Sequence, residues 1–224
     1  MPHPKGGYRL ANGERCPGVT TVIGRFKEAG GLMYWAWEQG RNGFDFRETR
    51  DSAAEAGTIA HALVEYHITG KSDQEIAHMI EEQRVAPEIL EKANQAYQNY
   101  LKWETQTKLK VIQTEMSLVS EKHKYGGTFD GVAVVEVEGE RSLADWKTGG
   151  IYTEAIIQCA AYKNLWEEHN PEQPIIGGVH IVSFSREAGD FAHRYFGNVD
   201  EAWRQFVLLR EAFDIDKRLK KRLA

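Results

Sequence analysis

The chain has 224 residues, with 28 Lys and Arg against 33 Asp and Glu, for a formal net charge of −5. At 42% hydrophobic, 11% aromatic and 27% charged residues, the composition suits one folded domain and excludes disordered, collagen-like and disulfide-scaffold classes. An acidic balance with a pI near 5.9 argues against a protein that coats nucleic acid through bulk positive charge. It leaves room for an enzyme whose basic groups are local.

No stretch approaches the roughly 20 apolar residues of a membrane helix, and MPHPKGGYRLANGERC lacks the apolar centre of a signal peptide. The only cysteines are Cys16 and Cys159. Two thiols complete neither a structural zinc site nor an iron–sulfur cluster. The expectation is an intracellular, cytoplasmic protein with no membrane partner.

In chain order, GVTTVIGRF carries a short β-branched run. Leu32, Trp35 and Ala36 recur at helical spacing, with Trp35 facing inward. Ser52 to Thr69 is Ala-rich, with Ile59, Leu63 and Tyr66 on one stripe, and Gly70 stops it. A polar helix follows in the seventies, and another runs from Pro87 to about Lys108. At Val111 the period changes to two: Ile112, Met116 and Leu118 alternate with Gln113, Glu115 and Ser117, as in a half-buried strand.

A Gly126–Gly127 break precedes a β-branched run, and RSLADWKT reads as its hairpin partner with a turn near Gly139. Thr153 to about His169 is helical, IIGGVHIVSFS and DFAHRYFG are strands, and Asp200 to the C-terminus is a long helix. The fold class is α/β (α+β): a mixed sheet flanked by helices in a core over 109–224, with a mainly helical part over 1–108.

The chemistry concentrates at Asp130 in GGTFDG and at Asp145 and Lys147 in LADWKTG. The two aspartates are fifteen positions apart, enough for adjacent antiparallel strands. Asp145 and Lys147, two apart on a strand, share a face. Carboxylates holding Mg²⁺ or Mn²⁺ beside a lysine suit phosphodiester hydrolysis. An Asp-x-Lys tripeptide alone is more often a surface pair. Here the charges interrupt apolar strands, where a carboxylate is costly without compensation. Neighbouring glycines leave room for a phosphate backbone.

Gln158 and Tyr162 are i, i+4 on the following helix, and so are His61 and Glu65 upstream. An isolated helical His is more often a core residue, and Gln158 with Tyr162 also fits an ordinary amphipathic face.

Together, GTIAHALVE, GGTFDG, LADWKTG and QCAAYKNLW, in this order, resemble the PD-(D/E)xK nuclease superfamily. The nearest likeness is to its RecB-like exonuclease branch, which includes phage and mitochondrial single-domain members. The resemblance implies a restriction-endonuclease-like core and a Mg²⁺ or Mn²⁺ site formed by His61, Asp130, Asp145 and the Trp146 carbonyl. It implies Lys147 as a catalytic residue alongside both aspartates, Gln158 and Tyr162 as substrate-orienting residues, and Glu115 and Glu65 as additional acidic members. The expected activity is exonucleolytic, on DNA ends or single strands, with 5′-phosphate products. A structure-specific endonuclease, an RNase and an inactive binding module remain alternatives. Candidate DNA contacts are Trp37, Arg41 and Arg47, with Tyr34, Trp35 and Arg50 nearby. Lys220 and Lys221 belong to a C-terminal run of five basic residues, which reads equally as a solvated helix end.

Overall fold

A computed structural model of the protein describes residues 4, 6–185 and 191–223. Asp190, which opens the last sequence-read strand, lies outside the described residues.

The N-terminal part begins with a two-residue ladder, β1 (Tyr8–Arg9) and β2 (Arg15–Cys16), and continues through five helices. The first, α1 (Val19–Arg25), takes up the β-branched run as a helix and buries Val19, Val22 and Ile23. Their i, i+3, i+4 spacing places all three on one side, so packing overrides β-branched propensity.

Next come α2 (Gly30–Arg41) and α3 (Phe46–Ile68). The start of α3 lies earlier than its Ala-rich segment suggests, because the Asp45 side chain caps it by accepting from the Arg47 amide. It stops before Gly70, where φ is +69°. A reciprocal Ser72–Glu75 capping box opens α4 (Asp73–Glu82). Helix α5 (Pro87–Thr107) starts on Pro87 and ends on a left-handed Lys108.

The single strand expected after Val111 is two strands, β3 (Lys110–Gln113) and β4 (Ser117–Ser120). Between them Glu115 takes φ +54°, so it lies in a bend rather than on a strand. Ile112 is exposed instead of facing the core.

The Gly126–Gly127 pair also departs from expectation. It lies inside β5 (Tyr125–Thr128), fully buried and paired with β4. A side-chain carbon on Gly126 would collide with the Tyr8 ring, and one on Gly127 would come 2.6 Å from Tyr162 and 2.9 Å from Leu165. These glycines make room for protein rings, not for a phosphate backbone. The chain breaks instead at Asp130–Gly131, before β6 (Val132–Val137).

β6 and β7 (Glu140–Lys147) form the expected hairpin. Its two-residue turn, Glu138 and Gly139, has positive φ at both positions (53° and 86°). Helix α6 (Thr153–His169) then carries the chain to β8 (Val179–Phe184), which lies parallel to β7. β9 (Phe191–Phe196) and α7 (Asp200–Leu223) complete the chain. The result is a five-stranded mixed sheet, ordered β3-β6-β7-β8-β9, with β4–β5 as a separate hairpin.

Strand alternation divides the core. Val132, Val134, Leu143, Val179 and Ile181 pack with α1, α6 and Phe206 of α7 on one face. Ala133, Val135, Ala144, Val182 and Phe184 pack with α3 and α5 on the other. Among the described residues, no helix is long and apolar enough to cross a membrane.

On the α5 face, His180 and His193 from adjacent strands contact each other, Nδ1 to Nε2 at 2.9 Å. This contact needs one ring to donate and the other to accept. Burial and the neighbouring imidazole push His180 down to about 4, and burial lowers His193. Between about pH 6.5 and 4 the unfolded rings therefore take up protons that the folded rings resist, so stability falls as pH drops through that window. Burial raises Asp145, which acts in the opposite sense. Comparison with a His180 variant isolates the histidine contribution. Urea unfolding at pH 7, 6 and 5 is expected to show the His180→Phe protein losing less stability than the parent, by on the order of 2 kcal/mol at the acid end. Parallel pH profiles would remove this pair as the acid-sensitive contact.

Candidate active site

Asp145 and Lys147 leave β7 on the same face as Leu143, toward α6. Asp145 is only 1% exposed, and its Oδ1 lies 2.9 Å from the Lys147 ammonium. Lys147, whose side chain is 27% exposed, also donates to Gln158 Oε1 at 3.2 Å. Lysine and glutamine thus meet at the end of β7.

Cys159, the next residue of α6, is a neighbour that sequence reasoning missed. Its buried thiol faces the Asp145 carboxyl, and burial followed by that carboxyl raises the thiol well above its ordinary range, so it stays protonated. Neither the ammonium nor the thiol aligns as a full hydrogen bond, and both buried Asp145 oxygens remain under-satisfied. Burial raises the Asp145 carboxyl, and Lys147 pulls it partly back.

Tyr162, one turn along α6, is buried and donates its hydroxyl to the Thr128 carbonyl at 2.8 Å. Its ring lies against Phe129, with centroids 4.7 Å apart, and against Gly127. Its hydroxyl also interacts with the Gln158 side chain, so the two meet as their i, i+4 spacing suggests, and Tyr162 anchors the segment from which Asp130 projects.

Asp130 is exposed in the bend between β5 and β6. With His61, Glu65, Glu115 and Trp146 it lines a cavity of about 220 Å³, to which Thr58 and Thr114 also contribute. Gly131 lets His61 approach, because its φ is +68° and a side-chain carbon there would lie 2.9 Å from His61 Cε1. The His61 ring donates to the Trp146 backbone carbonyl, and burial holds the imidazole below its usual range, in the neutral form. Its Nε2 is buried without a hydrogen-bond partner among the described residues. Burial raises Glu65, and Glu115 raises it further. The two acidic candidates therefore share this cavity with Asp130 and His61.

Asp145 points to the α6 face, while His61 and the cavity lie toward α3, with the Trp146 backbone between them. Among the described residues, no three His, Cys, Asp or Glu side chains stand close enough together to enclose a metal ion. The donor set nevertheless fits a hard divalent cation. It comprises the buried Asp145 carboxyl, the unpartnered Nε2 of His61 and the carboxylates that line the cavity.

Solved structures resemble the chain at a distance. One of them belongs to a candidate exonuclease from Eubacterium rectale and has a TM-score of 0.48 and 9% identity, over 74% of this chain and 68% of that one. No family model matches, and no curated protein matches. So remote a likeness carries no weight for activity. The functional reading rests on the side chains themselves.

Of the remaining candidates, Trp37 is exposed on α2, 5.7 Å from Tyr34, with Arg41 over its ring at 5.1 Å. Trp35 is half-buried, and α2 contributes no fully buried residue, so the expected inward anchor is weak. Arg47 stacks on Phe46 at 5.7 Å, and Arg50 pairs with Asp51 at 2.7 Å. Lys220 is engaged with Asp216 at 3.3 Å, whereas Lys221 lines a different cavity near β2.

The under-satisfied oxygens of Asp145 distinguish a site carboxylate from a structural salt bridge. Removing one partner of a structural buried pair costs roughly 3–5 kcal/mol. Asp145→Asn in EDTA is expected to remain within about 1 kcal/mol of the parent, because the isostere relieves a desolvated charge and Lys147 can turn to solvent. Urea denaturation decides this. A loss above about 3 kcal/mol would make the pair structural.

Proposed function

We propose that this protein is a metal-dependent nuclease that hydrolyses phosphodiester bonds in DNA, acting at ends or on single strands and leaving 5′-phosphate products. The observation that carries the reading is the buried Asp145 carboxyl, with both oxygens under-satisfied and Lys147 2.9 Å away. A carboxyl in a sheet core is costly, and Lys147 only partly offsets its desolvation. The neighbouring cavity, lined by Asp130, Glu65, Glu115 and His61, supports the same reading by gathering further hard ligands across the Trp146 backbone.

In this reading, Asp130, Asp145, the Trp146 carbonyl and His61 hold Mg²⁺ or Mn²⁺. The bound cation supplies a polarised phosphate oxygen and an acidified water. Lys147 steadies the negative charge that develops as water oxygen bonds to phosphorus and the P–O3′ bond breaks, with the departing O3′ taking a proton. Gln158 fixes the Lys147 ammonium through its carbonyl oxygen. Tyr162 holds the strand end that carries Asp130. His61, kept neutral by burial, offers Nε2 as a lone-pair donor, and its other nitrogen fixes the ring on Trp146. Exposed Tyr34 and Trp37, with Arg41, provide a surface on which unpaired bases stack.

A second reading, nucleic-acid binding without turnover, is favoured by one observation: among the described residues no three ligating side chains converge. End-labelled single- and double-stranded DNA incubated with Mg²⁺, Mn²⁺ or EDTA separates the two. Cleavage is expected with either metal and not in EDTA. Lys147→Ala and Asp145→Asn are expected to lose at least about a hundredfold in rate while still binding DNA. Either variant cutting at the parental rate would defeat the assignment, and tight binding with no cleavage under any metal would favour the second reading. A covalently closed circle tests the need for an end, since an exonuclease leaves it intact.

Trp37→Ala is expected to weaken oligothymidine binding by about 1–3 kcal/mol for the base it stacks, as read by fluorescence anisotropy. Unchanged affinity would exclude α2 from substrate binding.

A further inference from the structure

A second cavity, of about 320 Å³, lies between β2 and the C-terminal half of α7. Six cations line it: Arg15, Lys124, Arg210, Lys217, Arg218 and Lys221. The only carboxylates among its lining residues are Glu14 and Asp214. This concentration stands out in a chain of net charge −5.

The helix contribution is a stripe. Positions 210, 214, 217, 218 and 221 recur at i, i+4, i+7, i+8 and i+11, one face of α7. Arg210 is 8% exposed. It donates Nε to the Lys124 carbonyl at 2.9 Å and pairs Nη1 with Asp214 at 2.7 Å. Its guanidinium is therefore fixed before any ligand arrives. Among the described residues, Arg15, Lys124, Lys217, Arg218 and Lys221 carry no ion pair. A solvated helix end would scatter its lysines and pair them locally, as Lys220 does with Asp216.

We propose that this cavity is a phosphate-binding groove that grips the backbone of the nucleic acid strand away from the scissile bond. The proposal deepens the nuclease reading and rests on it for the identity of the strand. Length favours a polymer over a free phosphate ion. From Arg210 to Lys221 the stripe runs about 16 Å at 1.5 Å per residue, longer than one phosphate ion and long enough to meet several successive phosphates of one strand. A lone phosphate needs only two or three such donors. Position agrees as well. Lys124 immediately precedes β5, and Asp130 lies two residues beyond its other end. At about 3.3 Å per residue, the groove and the candidate active site lie no more than ~20 Å apart along that strand, within reach of a short oligonucleotide.

Cys16 lines the groove and is partly exposed, whereas Cys159 is buried. The rate of Cys16 modification by a disulfide reagent therefore reports occupancy without any need for catalysis. In EDTA, a twelve-residue oligothymidine at ten times its Kd is expected to slow that reaction about tenfold, and pyrophosphate is expected to compete at higher concentration. Lys217→Glu/Lys221→Glu, and separately Arg218→Glu, alter exposed positions of a long helix and are expected to lose most of the protection. Circular dichroism checks that each variant remains folded. Absence of protection by the oligonucleotide, or equal protection in the charge-reversed proteins, would overturn the proposal. Protection by pyrophosphate alone would overturn it too, by assigning the groove to a small free phosphate. The two readings fail separately. A protein that cuts DNA without protecting Cys16 loses only the groove, and one that protects Cys16 without cutting loses only the nuclease.

Discussion

The placement of Asp145 inside the sheet is the constraint around which the site is organised. Desolvation drives its carboxyl toward the neutral form, and Lys147 opposes that drive from 2.9 Å. Lys147 is in turn held by Gln158 of α6. The parallel β7–α6–β8 crossover thereby brings one strand and one helix to the same few atoms. If the pair served stability alone, well-packed apolar residues would do as well or better. Its persistence among Leu143, Ala144 and Val132 is a local conflict with an apolar core, of the kind found where a site takes precedence over packing.

The surroundings work by close approach. Gly127 admits the Tyr162 ring and Gly131 admits His61. Tyr162, through the Thr128 carbonyl, anchors the end of β5 just before the chain bends at Asp130. Carboxyl, imidazole and lysine therefore come from three different elements, and for the first two the positioning contact leaves no space for a side chain in place of the glycine. The Trp146 backbone lies between the two faces of the sheet, within reach of His61 on one side and flanked by Asp145 and Lys147 on the other.

Much of this was legible in the sequence, because the signals were local. The β6–β7 hairpin followed from β-branched runs flanking Gly139, α5 from Pro87, and the stop of α3 from Gly70. Helix periodicity placed Gln158 and Tyr162 on one face, and strand periodicity placed Asp145 and Lys147 on another. What the sequence concealed depended on tertiary partners. Glu115 adopts a left-handed backbone that splits one apparent strand into two, and period-two alternation across 111–120 gives no hint of it. Gly126 and Gly127 resemble a strand break until Tyr8, more than a hundred residues earlier, fills the space beside Gly126. Val19, Val22 and Ile23 are β-branched yet helical, because burial on one face outweighs their intrinsic preference. Nothing about Cys159 marked it as the neighbour of a carboxylate.

The basic groove shows the same limit at longer range. Arg15, Lys124 and the α7 stripe are separated by more than eighty residues at each step, and net charge averages them away. The fold reunites them because β5 passes between the N-terminal ladder and α7, with the Arg210 guanidinium tied to the Lys124 carbonyl. That tie makes β5 a shared element. One end borders the cations and the other leads to Asp130. Because β5 itself is buried, a nucleic acid strand bound as proposed would span the surface between its two ends and meet positive charge at one and carboxylates at the other. This arrangement suits hydrolysis at an acidic metal site, because anionic side chains repel a phosphate backbone unless binding energy gathered elsewhere brings it in.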